Sequence, residues 1–311
     1  MKTLAKHLLR RFGLLARQIR GRGDSFVMMF HGVGGREMPR EQFAALLDEL
    51  SRIFDIRPLD ALDAGAGRAT GGRRPSLYLT FDDGLRNNHS IAYPLLRDRG
   101  LPAAFFLCPG LIDTGRWIWT HEVRSRLGSL DAAALAGLTK DLGSTAHSLE
   151  SLVREMKASP LARRLAWEER IREHTARFAP TAAMHADYDL MSWDEAATLD
   201  PAIITIGSHS LTHQMLDSAT DEEIEREIAG SRQLLAEKLG RLVDHFCYPD
   251  GRHSPAAITA VRAHYRSAVT TKAGPLTGPR DPHILPRIGS DPDLAEALWR
   301  LARSPAASGV A

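Results

Sequence analysis

Apolar and polar positions change period along this chain, and each change marks an element. Ser25–Val33 is a run rich in Val, Met and Phe, the composition of a buried strand. Arg40–Phe54 then spaces Phe43, Leu46, Leu47 and Leu50 at helical intervals. Asp55–Leu59 reads as a short strand and the Gly, Ala and Arg stretch 63–75 as a loop. Ser76–Asp83 alternates and ends in Gly84, as a strand running into a turn does. Asn88–Arg99 predicts a helix closed by Gly100, and Leu101–Pro109 another strand. Residues 120–180 hold no convincing strand and are rich in Ala, Leu, Glu and Arg, which predicts an inserted helical subdomain. Strands return at Ala202–Ser208, Asp244–Tyr248, Arg266–Thr271 and His283–Ile288, with helices at 221–239, 254–264 and near 292–302. Strands alternating with helices imply a parallel sheet, and about seven of them imply a closed or nearly closed barrel. Chemistry in such a barrel belongs at the C-terminal strand ends. The barrel is expected to span 24–304, with a disordered tail at 305–311.

The first 23 residues stand apart. They carry Lys2, Lys6, Arg10, Arg11, Arg17, Arg20 and Arg22 and no acidic residue. Leu4, Leu8, Phe12, Leu15 and Ile19 recur at helical spacing, predicting one basic amphipathic helix, either lying on an anionic membrane surface or packed on the barrel. The run Phe12–Ala16 is too short for the core of a signal peptide or a membrane span, so the expected place is the cytoplasm, with possible peripheral contact at the inner face of the membrane.

Charge changes the picture in one respect. The formal net charge is +2, but removing the seven leading bases leaves 33 basic against 38 acidic residues. A slightly acidic body argues against a nucleic-acid partner. Cys108 and Cys247, far apart, form neither a metal-type pair nor a disulfide framework.

Two constellations carry chemistry. Thr80-Phe81-Asp82-Asp83-Gly84 ends a hydrophobic strand with adjacent carboxylates, costly to bury without a metal or hydrogen bonds. Neighbouring strand residues point to opposite faces, so a turn is needed for both to share a site. The second, His209-Ser210-Leu211-Thr212-His213, follows another strand and aligns two imidazoles if the segment turns helically. Two imidazoles and one carboxylate, with positions left for water and substrate, are the composition of a catalytic metal site.

With these motifs the sequence resembles the polysaccharide deacetylases with the NodB homology domain, carbohydrate esterase family four. Their T-F-D-D-G and H-[ST]-x-x-H motifs stand intact at Thr80–Gly84 and His209–His213, within a resemblance running from about Ser25 to Ile288. The resemblance implies an α/β fold, a distorted (β/α)7-type barrel, and a divalent metal, usually zinc, held by Asp83, His209 and His213 with Asp82 as general base. The substrate it implies is an N-acylated amino sugar in a bacterial glycan or glycan precursor; the basic first helix and the helical insert point towards a lipid-linked glycan. The chain also departs from the pattern. Cys247, in Phe246-Cys247-Tyr248-Pro249-Asp250-Gly251, occupies the place of an arginine that often orients the base, and Arg287 is expected to supply that guanidinium. The family's L-x-H, source of its acid, is absent, and His283 enters its strand at the wrong end. Candidate substrate contacts are His31, Trp119, Tyr248, Pro249 and Asp250, with a core histidine the alternative for His31 and packing under the insert the alternative for Trp119. The 126 positions from Asp83 to His209 exceed the spacing usual in the resembling enzymes and match the helical insert, a roof over the strand ends. Rival functions are cleavage of an N-formyl or ureide C–N bond on the same scaffold, and a catalytically silent sugar-binding protein.

Overall fold

The computed structural model describes residues 2–62, 69, 73–277 and 280–304; the expected tail at 305–311 and part of the 63–75 loop lie outside them. The chain opens with α1 (Lys2–Arg11) and α2 (Leu14–Arg22). The strands are β1 (Phe26–Phe30), β2 (Asp55–Ile56), β3 (Ser76–Phe81), β4 (Ala103–Leu107), β5 (Ile204–Ser208), β6 (His245–Cys247), β7 (Ser267–Val269) and β8 (Ile288–Gly289). Between them run α3 (Arg40–Ile53), α4 (Tyr93–Arg97), α5 (Trp119–Leu127), α6 (Ala132–Asp141), α7 (Leu149–Lys157), α8 (Leu161–His174), α9 (Ala182–Tyr188), α10 (Trp193–Ala197), α11 (Asp221–Leu239) and α12 (Pro255–His264), and α13 (Leu294–Arg303) follows β8.

The strands pair in parallel in the order β7-β6-β5-β4-β3-β1-β8, with β2 beside β3. The segment before β8 completes the ring: Leu285 bridges Val269 in parallel, and its N–H donates to Ala268 O at 2.9 Å. This is the expected seven-stranded barrel. The strand expected over His283–Ile288 is reduced to Ile288–Gly289. Pro286 has no N–H for the ladder, so the segment bonds β7 before the proline and β1 after it.

Strand alternation sorts the core into two layers. Leu77, Leu79 and Phe81 of β3 join the large cluster between strands and helices. Tyr78 instead joins Val27, Ala104, Phe106, Cys247 and Val269 within the ring. A Cβ on Gly207 would lie 2.5 Å from the Phe106 ring, so glycine there leaves room for the interior aromatic.

Between β4 and β5 the expected insert is present as α5 to α9. It has its own core, in which Trp119, Leu152, Met156, Trp167 and Ile171 surround Met215 from the barrel side.

The expected single N-terminal helix is instead two. Gly13, at φ 70°, takes a left-handed conformation and breaks the helix between α1 and α2. The break splits the apolar stripe: Leu15 and Ile19 enter the barrel core, while Leu4 and Phe12 remain 67% and 72% exposed. His7 pairs with Asp293 at 3.0 Å and Lys6 with Glu296, tying α1 to α13. Among the described residues no helix is long and apolar enough to cross a membrane.

Candidate metal centre and active site

The first motif turns where the alternation ends. Tyr78, Thr80 and Asp82 share the inner side of β3, and Asp82 N–H still bonds Phe30 O at 2.9 Å. Asp83 and Gly84 then both adopt left-handed conformations, at φ 73° and 68°. This pair of residues swings the second carboxylate back over the strand end. A Cβ on Gly84 would meet Leu107 at 2.9 Å. The strain at Asp83, of the order of 1–3 kcal/mol for a residue held in a sparsely populated region, is compensated by its surroundings.

The second motif is not helical. Ser210 and His213 are left-handed at φ 61° and 59°, making a compact loop after β5. Its backbone is held from both sides: Gly110 N–H donates to Leu211 O at 2.9 Å, and Thr212 donates N–H and hydroxyl to the buried Glu227 carboxylate, each at 2.8 Å. The imidazoles are aligned by this loop, with ring centroids 4.9 Å apart. A helix continuing from β5 would carry no such anchors on Gly110 and Glu227.

The two motifs converge. Asp83 Oδ1 lies 3.4 Å from His209 Nε2 and 3.5 Å from His213 Nε2, and all three side chains are buried. Asp83 Oδ1 has no hydrogen-bond donor among the described residues. His209 Nδ1 is 2.8 Å from Cys247 O, so Nδ1 carries a proton and Nε2 is the nitrogen that meets the carboxylate, through a second proton or a cation. Burial, with His209 and His121 adding to it, holds His213 neutral, its pKa lowered to about 3. Burial also opposes charge on His209, yet the Asp83 and Asp82 carboxylates beside it raise its pKa well above the usual imidazole range. The trio thus calls for one positive charge, which a proton or a cation can supply. Three ligand atoms within 4.8 Å of one another, one an unpartnered buried oxygen, fit a divalent metal of the zinc type.

A second trio, Asp82, His209 and Cys247, is equally close, but its donors are engaged. Arg287 meets Asp82 in two parallel bonds, Nη1 to Oδ1 at 2.7 Å and Nη2 to Oδ2 at 2.8 Å. The same guanidinium donates to Thr270 O at 2.8 Å, Thr80 Oγ1 at 3.2 Å and Cys247 Sγ at 3.2 Å. Arg287 is 1% exposed. It thus occupies the position expected for the arginine missing at Cys247, reaching Asp82 from the other side of the ring. Burial pushes the Asp82 carboxyl up, and Arg287 more than reverses it, leaving the group below its ordinary range. Burial also pushes the Cys247 thiol up.

The expected substrate contacts divide. His31 is half-buried just past the end of β1. Asp250 is exposed, left-handed at φ 56°, and paired to Lys157 of α7 at 2.6 Å. Pro249 is buried beside it. Tyr248 is fully buried, packed against Phe246 and His253, and its phenol is pushed up by burial, so its side chain belongs to the core. Trp119 is likewise no open sugar platform. It is 4% exposed, has Arg164 over its ring, and donates Nε1–H to His213 O at 3.1 Å. His283 bonds Asp281 and Tyr265 O away from the site.

One site residue escapes the motifs. His121 of α5 lies with Nε2 3.0 Å from Asp83 Oδ2. Its signal was faint: a histidine two positions after Trp119, in a segment legible only as helix.

Known proteins match this arrangement. The family model described as polysaccharide deacetylase covers residues 69–268, more than half of the chain. The chain belongs to the polysaccharide deacetylase family. This family is metal-dependent, and membership makes the chain a glycan de-N-acetylase with candidate metal ligands in place. It is 20% identical over 282 residues to YxkH of Bacillus subtilis (strain 168), a protein named for polysaccharide deacetylase, covering 88% of this chain and 74% of that one. In fold it resembles IcaB from Ammonifex degensii, with TM-score 0.59, 18% identity, and 91% and 98% of the two chains covered. It also resembles the Streptococcus pyogenes deacetylase PplD, solved with acetate, with TM-score 0.58, 15% identity, and 90% and 98% covered.

Proposed function

We propose that this deacetylase hydrolyses the N-acetyl group of an amino sugar through a metal held by Asp83, His209 and His213, with Asp82 as general base. A single observation carries the reading: two adjacent buried carboxylates have opposite environments. Asp82 is saturated by Arg287, whereas Asp83 turns an unpartnered oxygen to two imidazoles. A bound divalent metal would supply Lewis acidity to the attacking water and the acyl carbonyl. Asp82 accepts the proton of that water. Arg287 keeps Asp82 ionised and fixes both its oxygens, so the carboxylate is aimed before the substrate arrives. The buried walls around Asp82 and His209 exclude bulk water and strengthen each of these interactions. PplD was solved with acetate, the product such a reaction releases.

The test is zinc content together with acetate release from N-acetylated amino sugars, for wild type and Asp82→Asn. Zinc in both and acetate from wild type alone supports the assignment. Absence of zinc from the wild type would sink it, and zinc with formate in place of acetate would transfer the reading to an N-formyl substrate.

A specific observation also favours a substrate met at an anionic lipid surface, such as a lipid-linked glycan. Of the seven large apolar side chains exposed among the described residues, Leu4, Leu8, Phe12 and Leu14 fall in one short stretch that holds no acidic residue. Co-sedimentation with phosphatidylglycerol vesicles that survives Leu4→Glu/Phe12→Glu would remove this reading, and sedimentation lost in that variant would support it.

A further inference from the structure

The first turn of α5 reaches two of the three proposed metal ligands. Trp119 supports the backbone of His213, with Nε1 3.1 Å from its oxygen, and His121 places Nε2 3.0 Å from Asp83 Oδ2. We propose that His121 is a positioning residue for the metal centre. By donating Nε2–H to Oδ2 it turns the other oxygen of Asp83 toward His209 and His213. The inference rests on Asp83, His209 and His213 being the ligands.

The carboxylate needs such a tether. Asp83 sits on a left-handed turn past the end of β3, and its Oδ1 has no hydrogen-bond donor among the described residues. Asp82 beside it is held by both arms of Arg287, and His209 is held through Nδ1 by Cys247 O. Asp83 is held through Oδ2 by His121. A ligating carboxylate with one oxygen free to rotate loses the geometry that makes it a good ligand, which is why outer partners matter nearly as much as ligands. His121 is not placed as a fourth ligand, since its nitrogen approaches the oxygen opposite to the one facing the two imidazoles.

His121 is itself held. Its ring stacks on Tyr188 at 4.7 Å and 13°, and Tyr188 ends α9, the last helix of the insert. Met215, two residues beyond His213, packs into the insert's core with Trp119 and Trp167. The insert therefore does more than roof the strand ends. Its docking sets the orientation of Asp83 and the backbone of His213, and the metal in turn favours the docked insert.

Zinc affinity, measured by chelator competition on wild type, His121→Ala and His121→Gln, tests this, with visible spectra of the cobalt-loaded proteins and melting of the metal-free forms. The alanine variant should bind zinc about 10–100-fold more weakly and show an altered cobalt spectrum. Glutamine, which keeps an N–H near the position of Nε2, should recover most of the affinity and the spectrum. Wild-type affinity and an unchanged spectrum in the alanine variant would overturn the proposal. So would a loss equal in both variants that tracks their metal-free melting, which would mark His121 as a packing residue. A wild type that binds no zinc would overturn the ligand set itself, and this inference with it.

Discussion

The insert and the barrel each bury a network of charged side chains, and the two are built to opposite rules. In the insert, Glu168 accepts from Arg164 and Arg172, while Glu122 accepts from Arg126 and Arg172, with both Glu122 bonds to Arg172 at 3.0 Å or less. Both of these carboxylates have their cations. In the barrel, Asp82 is as well satisfied by Arg287, but Asp83 Oδ1 and His213 Nδ1 are buried without partners among the described residues. A complete network rigidifies, whereas an incomplete one at a strand end is strained towards a ligand. Similar residue types therefore hold a subdomain together in one region and prepare a reaction in the other.

The largest effect that would break this contrast is on turnover. Asp82→Asn should lower acetate release by about 10²–10⁴-fold, the usual worth of a positioned base, while zinc content per chain stays unchanged. Loss of zinc in this variant would move Asp82 among the ligands. Next comes Arg287→Ala, which leaves Asp82 charged and buried. It should cost about 3–5 kcal/mol in denaturant unfolding, as breaking a buried pair does, and should lower turnover as well. Glu168→Ala in the insert sharpens the comparison. It strands the buried Arg164 and should cost about 3 kcal/mol or more, with zinc affinity at the wild-type level. Weakened zinc binding there would show that the insert's own ion pairs set the metal geometry.

Metal removal should act first on the barrel network and, through His121 and Trp119, on the docking of the insert. Zinc at 100 times its dissociation constant should stabilise wild type by about 2.7 kcal/mol over the chelated protein, read as a shift in melting, and should leave Asp83→Ala unmoved. The smallest effect is in acid. Asp82 and Glu122 both have pKa values lowered on folding: burial raises each, and the arginines beside them outweigh it. Their contribution is fully present above the ordinary carboxyl values near about 4 and drains away as pH falls below them. Asp82→Asn should flatten that acid limb without abolishing it, because Glu122 still titrates; an unchanged limb would mean that Asp82 does not share in it.

Much of the fold was legible because its signals are local. Alternation on Ser76–Phe81, helical spacing on Arg40–Ile53 and a strand-free stretch before β5 each report the nearest neighbours of a residue, and the elements stand there. The N-terminal stripe misled because one glycine in a left-handed conformation redirects every later side chain, which periodicity alone does not register. Tyr248 misled differently, and Trp119 stayed open between two roles: an aromatic beside a motif looks the same in sequence whether it faces a sugar or a core.

By itself the sequence determined the alternating strands and helices, the two motifs at strand ends and, through them, the family. These depend on residue type and short spacing, which the chain carries openly. Tertiary structure alone decided which carboxylate is saturated and which is left open. That choice depends on Arg287, 205 positions from Asp82, and on His121, 38 positions from Asp83, arriving from opposite sides of the closed ring. Contacts between residues so far apart leave no periodic trace in one chain, because only ring closure and insert docking bring them within hydrogen-bond reach.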